Sequence, residues 1–234
     1  MQTQRFSKDS SVQFVPLHQR YHDPALEIQA RIFSKHVPLD QAFNIDEESH
    51  LRIERSCKDP QFSPELSVCA VDSSTNKVLA AIKNKPFAPN RKRYVQFDGS
   101  YSLMKHEKAF LDVLHHLDAR WEFLFDRLGF DPNESEFMHY VIGFTDECAM
   151  GNGLFTELWK FNEEQARKNG FKYIYSLLAS KEMQGLMAKK FGFKIMEEIL
   201  MSEFEVDGVK VCKEYVEQDP RRSDLKLQLA IKEL

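Results

Sequence analysis

The sequence contains few of the residues that mark specialised classes of protein. Of its 234 residues, four are Cys, nine are Gly and nine are Pro. The cysteines lie far apart without a Cys-x-x-Cys pair, which excludes the common zinc-cluster motifs. So little Gly and Pro excludes a collagenous or low-complexity chain. No apolar run reaches the ~18 residues of a membrane-spanning helix, and the first residues lack the apolar core of a signal peptide.

The charge balance excludes nonspecific binding of nucleic acid through an overall positive charge. Lys and Arg number 32 and Asp and Glu number 36, a formal net charge of −4. Apolar residues make up 42% and charged residues 29%, as in ordinary globular proteins. The 19 Phe indicate an aromatic-rich core, an aromatic-lined ligand pocket, or both. We therefore expect a cytoplasmic protein, a monomer or weak dimer, with reduced thiols and no metal, membrane or nucleic-acid partner.

The apolar patterns along the chain predict one α+β domain over residues 12–234, preceded by a flexible, polar N-terminal tail over 1–11. Asp23-Pro24 has the pattern of a helix start, and Val37-Pro38 that of its end. The other predicted elements are a strand over 12–15, a helix within 41–57, an antiparallel hairpin of 66–71 and 78–82, an irregular segment over 83–101, a helix over 105–125, strands over 137–144, 173–178, 193–204 and 226–232, and helices from 154 to the Asn169-Gly170 cap and over 181–191.

A Gly-x-Gly loop follows the predicted strand over 137–144 and begins a helix. Residues 148–153 read Cys-Ala-Met-Gly-Asn-Gly. A helix N-terminus exposes unpaired N–H groups and the positive end of the dipole, and glycine lets the backbone approach an anion closely. The pattern predicts an anion site, or an ordinary strand–helix turn. It is not a P-loop, and it lacks the dinucleotide fingerprint because Thr156 stands where that motif has its third Gly.

The loop and the segment after it resemble the GCN5-related N-acetyltransferases, most of all the insect-type arylalkylamine N-acetyltransferases. In that superfamily a Q/R-x-x-G-x-G/A loop holds the pyrophosphate of acetyl-CoA, and residues 148–153 are similar to it. Gly192-Phe193 matches the end of the second half of that domain, and Val37-Pro38-Leu39 and the C-terminal LQLAIKEL extend the resemblance along the chain. The resemblance implies a single acetyltransferase-type domain, with a mixed central sheet flanked by helices.

The resemblance implies acetyl transfer from acetyl-CoA to the primary amine of a small, arylalkylamine-like acceptor, by direct attack in a ternary complex. Near Phe144 or Thr145, where the strand is expected to diverge from its neighbour, a backbone N–H would polarise the thioester carbonyl. The pyrophosphate would lie on the loop residues Cys148, Ala149, Met150, Gly151, Asn152 and Gly153.

The loop departs from the family pattern in its charge. Its first position, Gln or Arg in the family, is Cys148, which cannot make the charge-assisted contact of a guanidinium. Asp146 and Glu147 place negative charge beside the expected pyrophosphate. Cys148 is interpreted either as a packed first-turn residue or as a reactive thiol activated by the helix dipole.

The groups that move protons in the family are also replaced. Val37 stands where the arylalkylamine group has its basic Glu, and Ala188 where many members have an acidic Tyr. His36 is the nearest substitute base, or simply a histidine favoured by the helix dipole. Further base candidates are His139, Glu47 and Glu48.

Ser180 is predicted either to bond the thiol or amine, or to cap the following helix. The missing family base and acid also fit a second hypothesis, a catalytically silent acyl-CoA-binding or regulatory domain. A third hypothesis is a protein-directed acetyltransferase, which an open peptide groove would favour.

Overall fold

The computed structural model describes residues 12–56, 62–87, 102–130 and 136–234. The strands in these ranges are β1 (Val12–Pro16), β2 (Val68–Asp72), β3 (Val78–Pro86), β4 (Phe137–Thr145), β5 (Tyr173–Leu178), β6 (Lys194–Leu200), β7 (Glu205–Val206), β8 (Val209–Lys210) and β9 (Lys226–Glu233). The α-helices are α1 (Gln19–His36), α2 (Pro38–Ala42), α3 (Glu47–Arg55), α4 (Lys105–Arg127), α5 (Leu154–Lys168), α6 (Lys181–Lys190) and α7 (Lys213–Glu217).

Seven of the strands form one mixed sheet in the order β1-β2-β3-β4-β5-β9-β6. Neighbouring strands are antiparallel except β4 and β5, which are parallel and joined by the crossover helix α5. The mixed sheet with flanking helices confirms the predicted fold class. Among the helices of the described ranges, none combines the length and apolar character that a bilayer crossing requires.

Helices cover both faces of the sheet around β4. On one face, α1 places Ile28 and Ile32 in a buried cluster with Phe144. On the other face, α5 places the Trp159 ring against Tyr140, with ring centroids 5.1 Å apart. Because both faces are covered, the β4 sequence is nearly all apolar.

Helix α1 begins earlier than the sequence predicts. It starts at Gln19, so Pro24 lies inside the helix, where it removes a single i→i−4 hydrogen bond. The first turn is held by a tertiary contact instead, because buried Tyr21 donates its hydroxyl to Asn76 Oδ1 at 2.9 Å. The predicted end is confirmed, since Val37 is extended with ψ of 115°.

Two other predicted segments differ from the structure. β3 continues to Pro86, through part of the segment expected to be irregular, because it pairs with β4 as far as Met138. β6 ends at Leu200, and the chain turns through a short 3-10 helix at Met201–Glu203 whose first residue is fully buried. The predicted tail over 1–11 and the remainder of the irregular segment, 88–101, lie outside the described residues.

Candidate functional site

The candidate site is built around a cleft between β4 and β5. The two strands pair over three residues only, ending where His139 lies opposite Tyr175. The next position is joined by a side chain, because Ser176 Oγ donates to the Tyr140 carbonyl at 2.9 Å. From there to the end of β4, the strand has no β5 partner among the described residues. We call this gap the β4–β5 cleft.

A bulge bends β4 at the inner end of the cleft. The ladder between β4 and β3 skips Val141, which lies between the paired residues Tyr140 and Ile142. The extra residue brings Tyr140 and Gly143 onto the same face, towards α5. A Cβ atom on Gly143 would lie 2.2 Å from Tyr140 Oη and 2.9 Å from the Phe155 ring. Any larger residue at this position would therefore force the Tyr140 and Phe155 side chains to move.

The predicted divergence of the strands is present, and it begins earlier than expected. Phe144 and Thr145 lie at the open end of the cleft, whereas the strands separate directly after His139. The Phe144 side chain is buried against α1, with 3% exposed, so it faces away from α5. The edge of β4 that β5 leaves unpaired therefore begins beside the bulge.

The glycine loop has room and donors for an anion. Gly151 and Gly153 both have φ of +77°, which favours glycine, and a Cβ atom at either would meet nothing within 4 Å. Gly153 caps α5 without a side-chain bond. Among the described residues, the backbone N–H groups from 150 to 155 have no acceptor. The loop thus fits a phosphate group at the positive end of α5, with Ala149 buried beneath it and Met150 and Asn152 exposed.

The carboxylates beside the loop are paired with cations. Arg31 Nη2 lies 3.2 Å from Asp146 Oδ2, and Lys77 Nζ lies 3.6 Å from the same atom. Lys35 Nζ lies 3.2 Å from Glu147 Oε1. Burial raises the pKa of Asp146, but the N–H of Cys148 and the charges of Lys77 and Arg31 outweigh burial, so the pKa is below its ordinary value. Asp146 is therefore an ionised, neutralised anchor of the loop.

Cys148 has the environment of an unreactive thiol. It is half-buried, and its backbone N–H donates to Asp146 Oδ1 at 3.0 Å. Burial and the neighbouring carboxylate raise the pKa of its thiol. The raised pKa disfavours the interpretation as a thiol activated by the helix dipole, because desolvation and Asp146 both oppose the thiolate.

The three predicted catalytic residues lie on separate elements. His36 is the exposed last residue of α1. His139 is buried at the inner end of the cleft, with its ring stacked on Tyr175 at a centroid distance of 4.5 Å. Ser180 is the N-cap of α6 and accepts the N–H of Met183 at 3.4 Å, as the capping alternative predicts.

The alternative base candidates and the two replaced family positions lie at the edges of the site. Glu47 and Glu48 are exposed in the first turn of α3, and Glu48 pairs with Arg52 at 3.0 Å. Val37 packs on the apolar cluster of α2 and α4, and Ala188 is exposed on α6.

The structure adds a buried acid–histidine pair that the sequence analysis missed. Asp40 Oδ1 lies 2.6 Å from His50 Nε2, and the two residues are 2% and 6% exposed. The edge of the Phe33 ring, 5.9 Å away between centroids, covers the imidazole. The two atoms lie within ion-pair distance but do not form a hydrogen bond with each other. The two residues lie on α2 and α3, and no motif spacing indicates that they meet.

Comparisons with known proteins confirm the fold. No protein-family model matches the sequence, and no curated protein is significantly similar to it. A mosquito arylalkylamine N-acetyltransferase-like 5b structure is 18% identical with a TM-score of 0.70, over 96% of this chain and 100% of that one. The C-terminal condensation domain of Ebony, in complex with beta-alanyl-dopamine, is 15% identical with a TM-score of 0.73, over 96% and 100%.

A third solved structure is Drosophila melanogaster polyamine N-acetyltransferase, described as catalysing the formation of N-acetylagmatine. It is 11% identical, with a TM-score of 0.62 over 96% of this chain and 100% of that one. The chain therefore has the GCN5-related N-acetyltransferase fold.

Proposed function

We propose that this protein transfers the acetyl group of acetyl-CoA to the primary amine of a small molecule, by direct attack in a ternary complex. The observation that carries the proposal is the β4–β5 cleft opening onto the loop at 150–155, whose N–H groups have no acceptor in the described residues. An unpaired strand edge offers backbone donors to an extended thiol ester, and the loop offers donors to its diphosphate.

The chain's own residues would bind and orient the reactants. Acetyl-CoA, when bound, supplies an acetyl group already activated as a thioester. Gly151, Gly153 and the first N–H groups of α5 would hold the diphosphate. The edge of β4 that β5 leaves unpaired, from Val141 to Thr145, would hold the acyl arm and place an N–H at the carbonyl oxygen. Ser176, bonded to Tyr140, keeps the inner end of the cleft closed.

A proton must leave the attacking ammonium, and two histidines are proposed for this step. His36 is exposed at the end of α1, so a proton that it takes from the amine could pass directly to solvent. His50 lies beside the Asp40 carboxylate and packs against Phe33, a buried setting in which a base would be kept in place. Loss of turnover with an unchanged acetyl-CoA affinity in His36→Ala alone assigns the base to His36. The same result in His50→Ala alone assigns it to His50.

The solved structures with this fold support a small amine as the acceptor. Two of them are named as enzymes or relatives of enzymes that act on arylalkylamines and on polyamines. We propose an arylalkylamine-like acceptor, because aromatic side chains are abundant in this chain and aromatic faces attract ammonium groups.

The first experiment is calorimetric titration with acetyl-CoA. Gly151→Asp puts a carboxylate into the space in front of the loop and should abolish binding. Gly170→Asp is the matched control, because Gly170 has φ of +84° with equally open space but lies at the other end of α5. Equal affinities of the two variants for acetyl-CoA would contradict the loop assignment.

A catalytically silent acyl-CoA-binding domain is the second candidate. It is favoured by Val37 and Ala188, which leave both family positions for proton transfer without an ionisable side chain. The fold does not decide between the candidates, since a condensation domain shares it. Tight acetyl-CoA binding without acetylation of any amine in a panel of arylalkylamines and polyamines would establish this second candidate.

A further inference from the structure

The cations around Asp146 and Glu147 come from outside the glycine loop. Arg31, on the second-last turn of its helix, contacts both carboxylates, with Nη2 3.2 Å from Asp146 and Nε 3.9 Å from Glu147. Lys35, one turn later, contacts Glu147 at 3.2 Å. Helix α1 therefore delivers two positive charges to the two residues that precede the loop.

These charges offset the negative charge that Asp146 and Glu147 place beside the loop. Asp146 is 5% exposed and its pKa is lowered, so an ionised carboxylate lies beside the proposed diphosphate site. Asp146 cannot move away, because its Oδ1 accepts the N–H of Cys148 and its carbonyl accepts the N–H of Ala149 at 2.8 Å. Uncompensated like charges at such a site would oppose a dianion.

We propose that Arg31 is a positioning residue for the diphosphate: it neutralises Asp146 and Glu147 and supplies, from α1, the cation that the loop lacks at Cys148. This inference rests on the proposed function. Arg31 is suited to the role because it is the one described cation that bridges both carboxylates. Its side chain is 30% exposed, so its charge still acts on a ligand in front of the loop.

The test compares two acyl donors that differ only in the nucleotide. Arg31→Gln should weaken acetyl-CoA binding about tenfold at low salt, which corresponds to about 1.4 kcal/mol. The affinity for S-acetylpantetheine, which has no diphosphate, should not change. The acetyl-CoA loss should shrink at roughly 0.5 M salt, because screening weakens interactions between partly exposed charges.

Three further variants make the result specific. Glu147→Gln in the Arg31→Gln background should restore part of the acetyl-CoA affinity, because it removes one of the two carboxylate charges that Arg31 contacts. Lys35→Gln changes a side chain that is 51% exposed, so the substitution should leave the packing unchanged. It should cause a smaller loss of acetyl-CoA affinity than Arg31→Gln. Arg167→Gln, which breaks a surface pair with Glu163 at the far end of α5, is the control and should bind normally.

The outcomes separate this inference from the proposed function. Equal loss of both acyl donors in Arg31→Gln would show a structural role and overturn the inference. Unchanged acetyl-CoA affinity in both Arg31→Gln and Lys35→Gln would overturn it while leaving the proposed function intact. Absence of acetyl-CoA binding by the unaltered protein would overturn both.

Discussion

Lys83 is a buried cation whose removal should stabilise the protein. It lies on β3 with 1% of its surface exposed, and its ammonium makes no hydrogen bond with the described residues. Its Nζ lies 4.8 Å from the centre of the Phe62 ring. Burial lowers the pKa of Lys83, and the nearby charge of Glu54 only partly opposes this effect. Burying this ammonium therefore lowers the stability of the folded state, and an apolar side chain of the same length would avoid that cost.

The size of the effect follows from three contributions to the folding free energy. Keeping an ammonium buried, or deprotonating it, costs several kcal/mol. The contact with the Phe62 ring returns up to about 2 kcal/mol. Methionine fills nearly the same volume and gains the hydrophobic transfer energy. We expect Lys83→Met to raise the free energy of unfolding by about 1–3 kcal/mol, which raises Tm by about 2–4 °C for each kcal/mol.

The assay is urea unfolding at several pH values, with Lys85→Met as the control. Lys85 lies two residues further along β3 but is only half-buried, so its variant should change stability much less. The pKa of Lys83 in the folded state lies below 10.5. Between that pKa and 10.5, the unfolded chain therefore binds more protons than the folded protein. The stability of the unaltered protein should therefore rise with pH through that window, and the advantage of Lys83→Met should narrow. A destabilised Lys83→Met, or an advantage that grows with pH, would refute the reasoning.

Three other outcomes are expected. Gly143→Ala should lower the free energy of unfolding by about 1–3 kcal/mol, since its Cβ would lie 2.2 Å from Tyr140 Oη. Urea unfolding should show that adding Tyr140→Phe recovers part of this loss, and no recovery would contradict the clash. Asp40→Ala should cost about 1–3 kcal/mol in the same assay, because the buried His50 imidazole loses its polar neighbour. A loss under about 1 kcal/mol would show that the two residues are not coupled. Iodoacetamide should alkylate Cys148 more slowly than a free thiol at neutral pH, and the rate should rise in Asp146→Asn. Equal rates in the unaltered protein and in Asp146→Asn would show that Asp146 does not control the thiol.

Local sequence patterns predict most of the secondary structure because their causes are local. The Tyr173–Leu178 strand and the ends of α1 and α5 follow from apolar period, a residue before proline, and an Asn-Gly cap. The predicted start of α1 is wrong by five residues, since the helix begins at Gln19 after the N-cap His18, and not at Pro24 after Asp23. The contact that extends the helix, from Tyr21 to Asn76, joins residues 55 positions apart.

The glycine loop is the part of the candidate site that the sequence predicts well. Gly151 and Gly153 have the positive φ that their identity suggests, and the strand before them and the helix after them are where the pattern places them. The sequence also shows that Cys148 departs from the family pattern. It does not show what compensates, since Arg31 lies 115 positions from Asp146 along the chain.

By itself, then, the sequence determined the class of fold, the order of most elements and the position of the glycine loop, because these depend on periodicity and on backbone preferences within a few residues. The tertiary structure alone decided where β4 and β5 part, that Asp40 meets His50, and that α1 neutralises the carboxylates beside the loop. These features arise from contacts between distant segments, and their energies depend on burial and separation, which a linear pattern does not contain.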